Sequence, residues 1–141
     1  MQVPYIMMHK RGTPKTMTGL SEYENVTREV LDYFISKTIS AAELNIHDII
    51  LDVGFGFAKT TEQNYLLLNT LDVFRILEKP LLVGISRKKM LQHVLETDAE
   101  HTLNGTSVAH TIALLKGAKI LRVHDVKEAV ECIKIVERLN C

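Results

Sequence analysis

Cysteine is scarce: the 141 residues hold two, Cys132 inside a helical pattern and Cys141 at the last position. Cysteines so placed build neither a disulfide framework nor a metal-ligand spacing such as C-x-x-C, and a reducing cytoplasm is the expected compartment. An excess of one charge is missing too. Seventeen basic and seventeen acidic residues give a formal net charge of zero. The balance argues against wrapping nucleic acid or coating an anionic membrane, so any anion binding has to be local. No apolar run approaches the roughly 20 residues that a membrane-crossing helix needs. The opening MQVPYIMMHKRG carries its charges after the apolar stretch, the reverse of a secretory signal. Prolines number 3 and glycines 7, against 46% hydrophobic residues. That composition suits a globular chain with one sizeable core.

Four short runs rich in valine, isoleucine and leucine read as strands: Val3 to Met8, Ile49 to Val53, Leu81 to Ile85 and Lys119 to Val123. None alternates cleanly with period two, as expected for strands covered on both faces of a parallel sheet. Helical patterns separate them. Val26, Val30 and Phe34 recur at four-residue spacing behind Ser21-Glu22-Tyr23-Glu24, which has the form of a capping box. Thr60-Thr61-Glu62-Gln63 offers a second box, ahead of an apolar face of Tyr65, Leu68, Leu71 and Phe74, and Pro80 opens the next strand. The third helical segment is broken: a short turn over Met90 to Leu95, a polar stretch from Glu96 to His101, then a helix from Thr106 to Lys116 with Gly117 as its C-cap. Asp125 can cap the last helix, whose inward stripe is Ala129, Cys132, Ile133, Val136 and Leu139.

The order βαβαβαβα calls for an α/β fold, a parallel sheet with right-handed crossovers and helices outside it. No linker or second domain interrupts residues 1–141, and the units do not resemble one another as solenoid repeats would. Two architectures fit: a small open doubly wound sheet, or half of an eight-stranded barrel, which needs about 250 residues. Four strands cannot close a barrel, and Gln2-Val3-Pro4 enters a strand at once. On the barrel reading residues 1–141 are one partial domain, half of a TIM barrel whose amino-terminal half is absent from the chain; the open sheet stands as the alternative.

In a parallel barrel the working groups lie where strands end and loops begin. The first strand runs into Met7-Met8-His9-Lys10-Arg11, either a solvated basic loop or part of a site. The second ends Asp52-Val53-Gly54-Phe55-Gly56-Phe57, a carboxylate followed by glycines that permit sharp turns. A buried Asp52 needs donors, from a structural cap or from a ligand presenting paired N–H groups. The G-x-G here lacks the third glycine of a dinucleotide fingerprint. The third strand ends Gly84-Ile85-Ser86-Arg87-Lys88-Lys89, three cations opening a helix, where the helix dipole disfavours positive charge and something negative is expected nearby. The last ends Arg122-Val123-His124-Asp125, with Arg122 and His124 on one side by alternation. Loops after the last two strands of barrels commonly bind phosphate. Arg122 could instead pair with Asp52, and His124 could be a satisfied core histidine; the set including Lys88 points to an anion site.

The stretches MHKRGTPKTM, ILDVGFGFAKT, PLLVGISRKKM, LNGT and ILRVHDVKEAV, in this order, resemble the dihydropteroate synthase family across essentially the whole chain. The resemblance implies barrel strands five to eight and a transferase of folate biosynthesis that is a target of sulfonamides. The implied reaction condenses 6-hydroxymethyl-7,8-dihydropterin pyrophosphate with p-aminobenzoate, giving 7,8-dihydropteroate and pyrophosphate. By motif position, Asp52 resembles the carboxylate that takes the pterin's amino and ring N–H groups. Lys88 resembles the lysine on the pterin carbonyl and ring nitrogen, Arg122 the arginine that stacks on the pterin and reaches the pyrophosphate, and His124 the histidine on the phosphate. Met8, Phe57 and Gly84 fall where the family lines the pocket, with Ser86 in support. Val53 replaces a common proline and Lys89 a common serine.

Magnesium on the pyrophosphate is implied as well, its protein ligand and further pterin contacts lying in the other half, and no metal site is expected among these residues. A homodimer is implied, and the 141 residues alone are expected to be inactive. Competing readings are the methyltetrahydrofolate-binding barrel of a methyltransferase, which would have no pyrophosphate to hold, and a non-catalytic half-barrel that binds or dimerises.

Overall fold

The four apolar runs become strands β1 (Tyr5–Met8), β2 (Ile49–Asp52), β3 (Leu81–Val83) and β4 (Ala118–Leu121) in a computed structural model that describes residues 3–13 and 19–139. The expected loop residues Pro14 to Met17, and Cys141, lie outside the described residues. Proline has no N–H to give a ladder, so β1 begins after Pro4, with the Tyr5 N–H donating to Asp48 O at 2.8 Å. β2 stops at Asp52, before Gly54 turns the chain at φ +70°.

All strand pairs are parallel, in the order β1-β2-β3-β4. A doubly wound sheet reverses its strand order at a switch point, and this one does not, so the open-sheet alternative fails. Crossovers between parallel strands are right-handed as a rule, and with each step taken in the same direction that rule collects the connecting helices on one face. That is the curvature of a barrel wall: helices outside, strand side chains inside.

The helices follow from local signals, with departures at their ends. Helix α1 (Val26–Glu43) is capped by Asn25, whose side chain accepts from the Arg28 N–H. The box expected at Ser21–Glu24 does not form, because Glu29 reaches back to the Glu24 and Asn25 N–H groups instead. Helix α2 (Thr61–Asn69) has the expected box between Thr60 and Gln63, and a 3-10 turn over Leu71–Leu77 continues it toward β3. Helix α3 (Lys89–Leu95) is short, and α4 (Leu103–Leu115) starts three residues earlier than its apolar pattern. Gly105 in its first turn lets Leu95 lie against it; a Cβ there would stand 2.5 Å from Leu95 Cδ1. Lys116 is the cap of α4, with Gly117 one residue beyond at φ +106°. Helix α5 (Val126–Leu139) buries Ala129, Cys132 and Val136, but Leu139, expected in the inward stripe, is 66% exposed.

Between helices and sheet lies the core. Met7, Leu51, Val53, Leu81, Val83 and Ile85 meet Phe34 of α1, Leu67 of α2, Phe74, and Ala109 and Ala113 of α4. Phe34 and Phe74 meet edge to face at 5.9 Å between centroids. Alternation and register put Ile6, Met8, Ile50, Asp52 and Leu82 on the other face. None of these five belongs to the helix-side core.

Candidate active site at the ends of the parallel strands

Asp52 ends β2 on the inner face, opposite Met8 of β1 and Leu82 of β3. It is 5% exposed, and its Oδ1 accepts from the Gly54 N–H at 2.8 Å. Only glycine allows this turn. φ is +70°, and a Cβ on Gly54 would stand 1.9 Å from the His9 carbonyl oxygen. The loop that follows is pinned by buried Asn64 of α2, whose Oδ1 accepts from the Gly56 N–H at 2.8 Å and whose Nδ2 donates to Thr60 O. The Lys59 amine donates to Gly54 O and Phe57 O, at 3.0 and 3.1 Å, and lies 3.0 Å from His9 Nδ1.

Lys88 is the N-cap residue of α3, and its amine turns from the helix to donate to Phe55 O, 4.9 Å from the Phe57 ring centroid. Burial pushes this amine down to about 8, although Asp52 pulls the other way. Arg122 lies across Gly84, where a Cβ would come within 2.5 Å of its Nη2. Among the described residues its guanidinium forms no ion pair, so the expected alternative of a bridge to Asp52 is not what holds it. Ser86 Oγ stands 3.3 Å from the His124 N–H and 3.0 Å from His124 Nδ1. A hydroxyl that accepts from the backbone can donate its own hydrogen to Nδ1, a pairing that favours an imidazole with Nε2–H facing outward.

The negative partner expected beside the three cations is Asp125, which accepts from Arg87 at 2.5 and 3.1 Å. This pairing occupies the carboxylate expected to cap α5 and joins the segments after β3 and β4. Arg87 adopts φ +56° there, with its N–H on Thr106 Oγ1 at 3.3 Å.

A cleft of about 450 Å³ is lined by Gly84, Ser86, Arg87, Lys88, Glu100, Arg122 and His124. Five of the eight residues singled out in the sequence therefore share one cavity. Asp52, Met8 and Phe57 stand outside that lining: Lys88 links it to the Phe57 ring and to the charge of Asp52, and Met8 is the register partner of Asp52. A wider hollow of about 820 Å³ at the start of α1, beside Tyr23, Asn25 and Glu29, holds none of the eight. Five residues that hold the rim, His9, Lys59, Asn64, Arg87 and Asp125, were not singled out in the sequence as members of the site.

The depressed Lys88 amine gives stability and the positive charge on this rim opposite responses to pH. Free lysine titrates near 10.5, so between about 8 and 10.5 the unfolded chain holds more protons than the folded one. Stability from this group therefore rises with pH across that window. An anion held by this amine would need the ammonium, and that capacity falls as pH passes about 8. Thermal melts should show the gap between Lys88→Met and the unaltered chain narrowing as pH rises through this window. A gap that stays constant or widens contradicts the burial argument.

Along one rim of this parallel half-barrel stand a carboxylate, which can accept from N–H donors, and a lysine, an arginine and a histidine, which can donate to anionic oxygens. The chain belongs to the pterin binding enzyme family, whose sequence model it matches over residues 1–124. Dihydropteroate synthase of Escherichia coli K12 is 42% identical over 137 residues, which cover 96% of this chain and 49% of the relative. That of Synechocystis is 38% identical over 141 residues, covering 98% and 49%. The solved dihydropteroate synthase of Yersinia pestis with a sulfonamide drug superposes with TM-score 0.95 at 36% identity, covering 99% of this chain and 52% of that one. The Thermus thermophilus enzyme in complex with 6HMPPP gives 0.94 at 34% identity, covering 99% and 57%. The chain thus spans about half the length of the relatives it matches.

Proposed function

We propose that this chain is the carboxyl-terminal half, strands five to eight, of a dihydropteroate synthase. In the proposed reaction, the bond between the pterin methylene and the pyrophosphate oxygen breaks with its electron pair going to pyrophosphate. The p-aminobenzoate nitrogen forms the new bond to that methylene and then loses a proton. The observation that carries this reading is the single cleft shared by Ser86, Lys88, Arg122 and His124 beside buried Asp52.

Each residue has a role that its surroundings allow. Asp52 has one oxygen on the Gly54 N–H, and its carboxylate can accept from a pterin's amino and ring N–H groups, favouring the electron-poor pterin as the bond loosens. Arg122, with no ion partner among the described residues, and His124, set by Ser86, take the charge that builds on the departing pyrophosphate. Lys88 stands between the two ends. Met8, Phe57 and Gly84 shape the pocket. No nucleophile is required of the protein. Glu100 is the one carboxylate in the cleft lining, and among the described residues no group of three His, Cys, Asp or Glu could hold a metal ion. Magnesium in this reading is carried by the pyrophosphate and by oxygens from the other half. A homodimer in the cytoplasm goes with the same reading.

The methyl-carrier alternative leaves Arg122 and His124 without work. Calorimetric titration of the chain with pyrophosphate and, separately, with 6-hydroxymethylpterin tests the proposal: heat with both is expected, and Asp52→Asn should abolish only the second. Heat with pterin alone favours a methyl carrier, and heat with neither an interaction module. Turnover by the chain alone should be absent, because half the wall is missing; full turnover would overturn the half-site assignment.

A further inference from the structure

Lys59 has none of the roles given above, yet its amine joins two loops. Bonds to Gly54 O and Phe57 O close the segment after β2 on itself, and contact with His9 Nδ1 reaches the segment after β1. Gly54 is thereby held at both ends, its N–H on Asp52 Oδ1 and its carbonyl on Lys59. A glycine at positive φ has wide conformational freedom unless it is anchored. Phe57 is held in the same way through its carbonyl, while its ring flanks the Lys88 amine. Burying a lysine amine is costly, and an apolar side chain would fill the space without that cost. What an apolar side chain could not do is hold two carbonyls and an imidazole at once.

We propose that Lys59 is a positioning residue of the pterin pocket: by fixing the Gly54 and Phe57 carbonyls against His9, it sets the direction of the Asp52 carboxylate and the Phe57 ring. The identity of the ligand rests on the synthase reading; the positioning of Gly54 does not. The charged and titratable groups facing the amine are His9 and Arg11 after β1, Asp52 ending β2, and Lys88 after β3. Burial pushes Lys59 down to about 7, opposed by Asp52 and assisted by Lys88 and Arg11. His9 is pushed down to about 3 by burial, Lys59 and Arg11, so it stays a neutral acceptor.

The test is a pH series of ¹⁵N–¹H spectra on the chain and on Lys59→Met, with pterin and pyrophosphate titrations beside it. The Gly54 and Phe57 amides of the unaltered chain should shift together with a midpoint near 7, a step that Lys59→Met lacks. Pterin affinity in that variant should fall about tenfold while pyrophosphate affinity stays within about twofold. Absence of the step in the unaltered chain overturns the proposal even if the variant does not fold. So does a Lys59→Met chain whose Gly54 amide and pterin affinity are unchanged. If the step is present and lost as expected but pterin never binds, the synthase reading fails and the positioning of Gly54 by Lys59 stands.

Discussion

Alanine at position 54 is expected to lower the unfolding free energy by roughly 2 to 5 kcal/mol, combining left-handed backbone strain with forced displacement of packed neighbours. The displaced neighbour is main chain: a Cβ on Gly54 would meet the His9 carbonyl oxygen at 1.9 Å, and the ends of β1 and β2 would have to part. Gly56 supplies the comparison. Its φ is +78°, but a Cβ there finds only the Lys88 side chain, at 3.4 Å. Gly56→Ala should therefore show the strain alone, roughly 1 to 2 kcal/mol. Urea midpoints of the two variants read the difference directly. Equal losses would mean that backbone approach between the first two strands does not decide stability.

Arg122→Ala should weaken pyrophosphate binding by roughly 10- to 100-fold, the worth of hydrogen bonds between a guanidinium and an anion. It should leave the melting temperature almost unchanged. The separation of the two effects follows from the guanidinium having no ion partner among the described residues, so its removal strands no carboxylate. Arg87→Ala is the contrast: it leaves Asp125 without its 2.5 Å partner and should lower stability while acting on the anion only indirectly. Gly84→Ala should imitate Arg122→Ala in part, since a methyl group would push the guanidinium aside. An Arg122→Ala chain that binds pyrophosphate normally would remove the main support for an anion site.

The strands and helices were legible because each depends on residues close in sequence. The box at Thr60 and Gln63 is an example, complete within four positions. The matching pattern at Ser21 misled because the competing cap at Asn25 is supported from further away. Glu29, which takes the Glu24 and Asn25 N–H groups, is itself gripped by Arg11 at 2.5 Å. Asp52, Lys88, Arg122 and His124 could be picked out because parallel strands deliver their carboxyl ends to one rim. Their assignment to particular parts of a substrate came from the family resemblance. Contacts such as Lys59 with His9, 50 positions apart, or Arg87 with Asp125, 38 apart, depend on which strands become neighbours and in what register. No local pattern announces them.

Both lysine amines on the rim are held by main-chain oxygens, Lys88 by Phe55 and Lys59 by Gly54 and Phe57. A carbonyl is present whatever side chain its residue carries. Position 57, half-buried, is thus free to change in size and shape without letting go of the Lys59 amine, whereas Phe55 is also fixed by the core it fills. The contour of the cavity and the placement of its electrostatics can be inherited separately.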